Sequence, residues 1–210
     1  MAIVVGLTGN MASGKSTVAT ILKELGAYII DADAIGHQII GKGQPAWHDI
    51  VEEFGKEVLL ADGSVNRKRL GEIVFSDREK LKRLNAITHP RIREEIERRI
   101  ELIKKSSPRA IIVVDAALLI EVGSHRKVEV VVVVTASKEQ LIKRAMEKFC
   151  LTEDEAKKRL GAQMPQEEKL KYADFVIDNS GSLEKTTEAV RGLYDELKRM
   201  EAEGFQTKRG

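Results

Sequence analysis

A short segment near the start of the chain combines glycines, a lysine and hydroxyl groups at the intervals that phosphate binding requires. The pattern G-x-x-x-x-G-K-[ST] is satisfied by Gly9, Gly14, Lys15 and Ser16. Glycines let the backbone turn successive N–H groups towards phosphate oxygens, and a helix that begins at about Lys15 directs its positive dipole end at them. The lysine would reach the β- and γ-phosphates, and the Ser16 hydroxyl would ligate Mg²⁺.

We therefore predict a nucleotide-binding segment, called the phosphate loop below. It consists of Gly9, Asn10, Met11, Ala12, Ser13, Gly14, Lys15, Ser16 and Thr17. The match lies between an apolar run and a helical pattern, which is the context that the motif requires. A structural glycine turn without a ligand is the alternative, and the rarity of the pattern by chance disfavours it.

Two aspartates follow the second apolar run of the chain. Asp31 and Asp33 stand at its carboxyl end, where ligands of an open α/β sheet bind. A carboxylate there can orient an acceptor hydroxyl and take its proton during phosphoryl transfer, and Asp33 is the better candidate for that role. The alternative is that Asp33 only caps a helix beginning at about residue 34. Sequence position alone does not decide between these two interpretations.

Phosphate loops also occur in nucleotide-dependent switches, which regulate partners rather than phosphorylate a small molecule. The guanine-reading pattern N-K-x-D is absent from the sequence. Asp115, which follows the third apolar run, is not followed by the glycine of a D-x-x-G switch element. Both observations disfavour a regulator.

Many basic residues are concentrated between residues 138 and 171. They are Lys138, Lys143, Arg144, Lys148, Lys157, Lys158, Arg159, Lys169 and Lys171. A charge run on helices is usually a solvated face. Some of these side chains could instead close over a bound nucleotide, because a kinase must keep water from the γ-phosphate until its acceptor is bound.

The elements that position these residues follow from the apolar pattern. Short apolar runs without alternation predict strands buried on both faces, as in a parallel sheet, at 3–7, 27–30, 110–114, 130–134 and 173–177. Helical patterns lie between them, so we predict an α/β protein with right-handed crossovers. Roughly eighty residues separate the second and third strands, which predicts an all-helical insertion. Within it, Pro90 divides a helical pattern over 79–105, and we predict two helices that meet at His89–Pro90.

Length and composition limit the classes of protein to which the chain can belong. A chain of 210 residues has room for one well-filled core. Its formal net charge of +2 shows no basic excess, so a nucleic-acid partner is not expected. The apolar runs are shorter than a membrane span, no basic segment precedes the apolar N-terminus, and Cys150 is the single cysteine. We expect a cytoplasmic monomer without membrane association.

Several segments together resemble the dephospho-coenzyme A kinase family of P-loop kinases. The resemblance covers nearly the whole chain and includes the segments GLTGNMASGKSTVA, LGAYIIDADAI, FGKEVLLADGSVNRKRL, THPRI and ADFVIDNSGS. The signature beyond the phosphate loop comprises the D-A-D at 31–33, Asp62 and Gly63 with Arg67, the pair His89–Pro90, and A-D-x-V-I-x-N at 173–179. Asn10 and Ala12 depart from the family pattern, because glycine is often found at both positions.

The resemblance implies a fold and a division of the chain. The expected fold is the P-loop NTPase three-layer α/β/α sandwich with a five-stranded parallel sheet. We expect a single kinase domain whose core comprises about 1–34, 104–137 and 171–203. A helical CoA-side insertion would occupy about 35–103, and a helical lid about 138–170.

The resemblance also implies an activity and the residues that perform it. The activity is Mg²⁺-dependent transfer of the γ-phosphoryl group of ATP to the ribose 3′-hydroxyl of dephospho-CoA. Asp33 would be the base, and Lys15 and the lid residue Arg144 would stabilise charge on the transferring group. Candidates on the substrate side are Asp31, Arg67, His89 and Glu121, with a helix-start role as the alternative for His89. The alternative functions are another small-molecule or nucleoside monophosphate kinase and a nucleotide-binding regulator.

Overall fold

The strands form one five-stranded parallel sheet in the order β2-β3-β1-β4-β5. The computed structural model describes residues 1–204, and its strands are β1 (Ile3–Gly9), β2 (Tyr28–Asp31), β3 (Ile111–Asp115), β4 (Val130–Thr135) and β5 (Phe175–Asp178). All residues of β1, β3 and β4 are buried, which explains why their sequences are apolar without alternation. The prediction that all five strands are buried on both faces is wrong for β2 and β5, because they form the two edges and include exposed residues.

Helices connect and flank the strands. They are α1 (Lys15–Glu24), α2 (Ala32–Ile39), α3 (Pro45–Phe54), α4 (Arg67–Phe75), α5 (Arg78–Ser106), α6 (Lys138–Phe149), α7 (Glu153–Gly161), α8 (Gln166–Leu170) and α9 (Leu183–Glu203). The α/β/α class predicted from the sequence is confirmed. Within the part of the chain that the structure describes, no helix is long and apolar enough to cross a bilayer.

Two compact units divide the chain. The first contains Met1–Ile30 and the residues from Ile100 onwards, and the second is Asp31–Arg99. The core of the first unit forms where apolar residues of α1 and α9 pack against one face of the sheet, including Leu22, Leu193 and Leu197. The predicted division into core, insertion and lid remains a prediction.

The second unit is built around its own small core. Ile50 and Phe54 of α3 pack with Leu70 and Val74 of α4, and Leu84 of α5 lies against this cluster. These side chains recur three or four residues apart in each helix, so each helix presents one apolar stripe to the others.

The predicted break at His89–Pro90 is wrong, because α5 continues through Pro90. A proline inside a helix lacks the N–H that would bond the preceding turn, at a cost of about 3 kcal/mol. Side-chain donors bond neighbouring carbonyls: the Thr88 hydroxyl donates to Leu84 O at 2.9 Å, and the Arg91 guanidinium donates to Ile87 O at 2.7 Å. Neither bond reaches Ala86 O, the carbonyl that Pro90 leaves without its helical donor. The cost is offset instead by the packing of the apolar stripe of α5. The helix-start interpretation of His89 is therefore also wrong.

The turn between α6 and α7 follows local rules that are visible in the sequence. Cys150 ends α6 in the left-handed conformation, with φ 51°, and it is exposed. Thr152 then caps α7, accepting a bond from the Glu155 amide while the Glu155 carboxylate accepts from the Thr152 amide. This reciprocal capping box is the one that the residue types at 152 and 155 predict.

Candidate active site

The phosphate loop joins the central strand to the first helix, as its motif requires. β1 ends at Gly9, and α1 begins at Lys15. Gly14 caps the helix in the left-handed conformation with φ 90°, which glycine adopts without steric cost. Ala12 also has a positive φ, 65°, and here a side chain bears a cost of about 1 kcal/mol. A glycine at position 12 would not bear this cost.

Lys15 forms an ion pair with an aspartate of the neighbouring strand. Its Nζ contacts Oδ1 of Asp115, which ends β3 and is 7% exposed. The sheet register pairs Leu7 of β1 with Asp115, so this carboxylate lies at the edge of the sheet from which the phosphate loop emerges. Sequence reasoning used Asp115 only to disfavour a switch and missed this contact. The signal was present, since an acid at the carboxyl end of a wholly apolar strand points to the ligand-binding edge.

The phosphate loop is also bonded to the segment between α7 and α8. The Met11 amide donates to Oε1 of Gln163 at 2.8 Å, and Nδ2 of Asn10 donates to Met164 O at 3.0 Å. Asn10 is buried, and a glycine at this position would have no side chain to make its bond. The departure of Asn10 from the family pattern therefore adds a tie between the loop and the residues that follow α7.

Lys169 contradicts the prediction of a solvated basic face. It is fully buried, and its Nζ donates to Oε1 of Glu121 at 2.7 Å and to Ala117 O at 3.0 Å. The Thr8 hydroxyl donates to the same Ala117 carbonyl at 3.1 Å. The charge pattern could not reveal this, because burial of Lys169 depends on how the short helix α8 packs. The Glu121 carboxylate, a substrate-side candidate, is thus engaged by an internal cation.

We expect Lys169→Met to lower the free energy of unfolding by about 1 to 3 kcal/mol, because it leaves the Glu121 carboxylate without its cation and the Ala117 carbonyl with the Thr8 hydroxyl as its remaining side-chain donor. Urea unfolding measures this change. Lys171→Met is the matched control, since Lys171 is exposed and its ion pair with Glu168 contributes about 0.5 kcal/mol or less. Adding Glu121→Gln to Lys169→Met should recover part of the loss. Equal stabilities for the two single variants would contradict a stabilising role for the buried Lys169.

Arg144 lies in α6 and faces the end of β5. Its Nη2 donates to Asn179 O at 3.0 Å. Its Nη1 is buried and has no hydrogen-bond partner among residues 1–204. The guanidinium therefore has a donor that no described residue uses. Its predicted role in stabilising the transferring group remains a prediction.

In the second unit, Asp31 and Asp33 have different roles. The Asp31 carboxylate accepts a bond from the Ala34 amide at 2.8 Å and caps α2, which begins at Ala32. The interpretation of Asp33 as the cap is wrong, because α2 begins earlier than predicted. Asp33 lies in the first turn and is exposed, and its carboxylate forms no hydrogen bond or ion pair with any residue that the structure describes. It is available to an acceptor.

Two further substrate-side candidates, Arg67 and His89, also lie in the second unit. Arg67 is exposed and is the first residue of α4, whose cap is Asn66. His89 is half-buried within α5. Burial lowers the pKa of His89 below its usual 6.5, and the positive charge of Arg93 lowers this pKa further. The lowered pKa favours the neutral form of the His89 ring, which can donate one hydrogen bond and accept another.

The sheet order and the phosphate loop define a class of proteins, the P-loop kinases. The central strand leads into the loop, the loop leads into α1, and Lys15 contacts an acid at the end of the adjacent strand. Shikimate kinase from Bacteroides thetaiotaomicron shares this fold, with a TM-score of 0.52 at 11% identity over 93% of this chain and 98% of that one.

Within this class, the chain belongs to the dephospho-CoA kinase family, whose model matches residues 3–185. The dephospho-CoA kinase of Aquifex aeolicus is 44% identical over 93% of this chain and 97% of its own, and that of Carboxydothermus hydrogenoformans is 47% identical over 93% and 94%. The solved dephospho-CoA kinase from Campylobacter jejuni has a TM-score of 0.72 at 33% identity, covering 95% of this chain and 98% of that one. The predicted family is confirmed, the protein is a kinase, and the alternative of a regulator finds no support.

Proposed function

We propose that the protein transfers the γ-phosphoryl group of ATP to the ribose 3′-hydroxyl of dephospho-CoA, giving CoA and ADP. One observation supports this most directly: Lys15 stands at the start of α1 behind a phosphate loop, in a chain that matches the family model over residues 3–185. Its ammonium is held by Asp115 at the carboxyl edge of the sheet. The Lys15 ammonium is thus held in the region where the β- and γ-phosphates would bind.

On the donor side, the chain supplies amides and positive charge. Backbone N–H groups of the phosphate loop and the dipole of α1 bind the phosphate oxygens. Lys15 then shares its charge between Asp115 and the phosphates. Charge spread over the transferring group in the transition state is stabilised by groups that are already in position, which is the main source of acceleration in phosphoryl transfer.

The residues around Lys15 also fit a magnesium ion. The Ser16 hydroxyl is exposed at the first turn of α1, and the Asp115 carboxylate is bound to Lys15. Mg²⁺ in such sites takes one or two protein oxygens and completes its shell with water and phosphate. When bound, it would supply positive charge that neutralises part of the charge on the phosphates. Ser16 would be a direct ligand, and Asp115 would hold either the ion or one of its waters.

Asp115→Asn is expected to raise the Mg²⁺ concentration needed for half-maximal rate by about tenfold or more, because the amide keeps the shape of the carboxylate and loses its charge. A titration of initial rate against Mg²⁺ at fixed ATP measures this. Asp178→Asn is the control, since Asp178 also ends a strand but is exposed at the edge of the sheet. An unchanged Mg²⁺ requirement in Asp115→Asn would remove Asp115 from the metal site.

On the acceptor side, Asp33 accepts the proton of the 3′-hydroxyl. The hydroxyl oxygen attacks the γ-phosphorus as the bond from that phosphorus to the β–γ bridging oxygen breaks, and ADP leaves with that oxygen. Asp33 later releases the proton to water. Support for this role comes from its exposed carboxylate, which the cap at Asp31 leaves unused. Arg144 would steady the transferring group with its unused Nη1 donor.

A comparison of acceptors tests the proposed function. ADP production is measured with ATP and Mg²⁺ alone, and then with dephospho-CoA, adenosine or AMP added. We expect turnover to depend on dephospho-CoA and the product to be CoA. Preference for AMP or another alcohol would place the protein among the other small-molecule kinases of the same fold. No acceptor-dependent turnover with any of them would contradict the proposal.

The remaining expectations belong to the same proposal. We propose one kinase domain with its acceptor region at about 35–103 and its lid at about 138–170, acting as a cytoplasmic monomer. The second compact unit, Asp31–Arg99, supports the first boundary. Size-exclusion chromatography with light scattering tests the monomeric state, and a dimer at micromolar concentration would contradict it.

A further inference from the structure

Asn179 is a buried junction at the end of β5. It is 8% exposed, and both its backbone and its side chain are bonded. Its amide donates to Thr135 O at 2.8 Å, and its carbonyl accepts from Arg144 Nη2 at 3.0 Å. Its side-chain Nδ2 donates to Ser13 O at 2.8 Å, and its Oδ1 accepts from the Thr186 hydroxyl at 2.8 Å. One residue thus contacts the phosphate loop, the neighbouring strand, α6 and α9.

The partners of the Asn179 carboxamide fix which way it faces. The Ser13 carbonyl can only accept, so the NH₂ group must face it. The Oδ1 atom then faces Thr186, whose hydroxyl donates to it. Thr186 is fully buried, so water does not compete for this bond, and the second acceptor near the hydroxyl, Ser182 O, lies farther away at 3.3 Å. The hydroxyl of Thr186 therefore orients the amide that holds the phosphate loop.

The carboxamide also presses closely on the peptide that precedes Lys15. A β-carbon at Gly14 would lie 1.8 Å from Asn179 Nδ2, so no other residue fits at position 14 while Asn179 keeps its place. Gly14 is the cap of α1. Asn179 therefore sets the position of the Ser13–Gly14 peptide, from which Lys15 and the first turn of α1 continue.

We propose that Asn179, oriented by Thr186, is a positioning residue for the nucleotide. It holds the Ser13–Gly14 peptide in its phosphate-binding conformation through Nδ2, and it holds the Arg144 guanidinium through its backbone carbonyl. The positions of the phosphate loop and of the Arg144 guanidinium are therefore both set by contacts with Asn179. This inference deepens the proposed function and rests on it for its effect on catalysis. Its effect on ATP binding requires no acceptor.

Thr186→Val tests the orienting bond, because valine has nearly the shape of threonine and lacks the hydroxyl. The Asn179 Oδ1 then loses its donor, and the carboxamide is free to rotate away from Ser13. We expect the Kd for ATP with Mg²⁺, measured by isothermal titration calorimetry without acceptor, to rise about tenfold. Thr186→Ser keeps the hydroxyl and should bind ATP like the parent protein.

Thr187→Val is the matched control on the same helix. The Thr187 hydroxyl donates to Leu183 O at 2.8 Å, so this variant makes the same chemical change one residue away without touching Asn179. We expect its Kd for ATP to be unchanged. A purely structural role for Thr186 would lower the urea midpoint without moving the Kd of the folded protein, so both quantities are measured for each variant.

Asn179→Asp tests the other bond. A carboxylate oxygen would face the Ser13 carbonyl in place of the NH₂ donor, and we expect the Kd for ATP to rise about 100-fold and kcat to fall, with the KM for dephospho-CoA little changed. Should Asn179→Asp fail to fold, the Thr186 series still decides the matter.

The outcomes separate this inference from the proposed function. Equal Kd values for ATP in folded Thr186→Val and Thr187→Val would overturn the positioning role. A tenfold weaker Kd in Thr186→Val alone, restored in Thr186→Ser, would support it. If the parent protein binds ATP but does not phosphorylate dephospho-CoA, the proposed function fails while the binding comparison stands.

Discussion

Asparagine in place of Asp33 is expected to lower kcat by about 10²- to 10⁴-fold, the usual contribution of a general base, while the Kd for ATP stays unchanged. The amide has the shape of the carboxylate but cannot take the proton of the acceptor hydroxyl. Folding should change little, because Asp31 caps α2 and Asp33 adds only its charge in the first turn, about 0.3 to 1 kcal/mol.

Three measurements decide the role of Asp33. They are the steady-state rate at saturating dephospho-CoA, the Kd for ATP by calorimetry, and the urea midpoint. Glu52→Gln is the control, because Glu52 is an exposed carboxylate of α3 in the same compact unit. Near-normal turnover in Asp33→Asn would show that the proton leaves by another route. A large fall of the steady-state rate in Glu52→Gln would indicate that removing any carboxylate from this unit slows the reaction.

Alanine in place of Lys15 should weaken nucleotide binding and also slow the chemical step. We expect kcat to fall by about 10²- to 10³-fold, as happens when one preorganised donor to the transition state is lost, and the Kd for ATP to rise about tenfold. Both kcat and the Kd for ATP change because the Lys15 ammonium contacts the phosphates both in the ground state and during transfer. The contrast with Asp33→Asn, which should leave the Kd unchanged, separates the donor side from the acceptor side.

The partner of Lys15 provides the control for stability. Lys15→Ala removes the ion pair between Lys15 and the buried Asp115 carboxylate, so the variant should also be less stable. The double variant Lys15→Ala with Asp115→Asn removes that charge and should regain stability without regaining activity. Lys23→Ala, at an exposed lysine of the same helix, should behave like the parent protein. Recovery of turnover in the double variant would contradict a direct role for Lys15.

The central strands and the phosphate loop could be predicted because their signals are local. β1, β3 and β4 are buried along their whole length, so each is an uninterrupted apolar run in the sequence. The loop must hold Gly14 in a left-handed conformation next to Lys15, and this requirement leaves a fixed spacing of residue types. Patterns of this kind do not depend on which element packs against which.

The errors arose where the outcome depends on tertiary contacts. Pro90 predicts a helix end by itself, yet α5 continues through it, with apolar side chains of the helix packed in the core of the second unit. Lys169 belongs to a charged run by composition, but it is buried against Glu121. Asp115 was visible in the sequence, and its contact with Lys15 follows only from the parallel pairing of β1 with β3.

The exposed thiol in the turn between α6 and α7 has a practical consequence. Cys150 is the single cysteine of the chain, so a maleimide fluorophore attached to the native protein reacts at one known position. No other sulfhydryl has to be engineered away beforehand. Emission recorded from that label as nucleotide is added would follow the surroundings of this turn in real time, in the same protein on which the rate measurements are made.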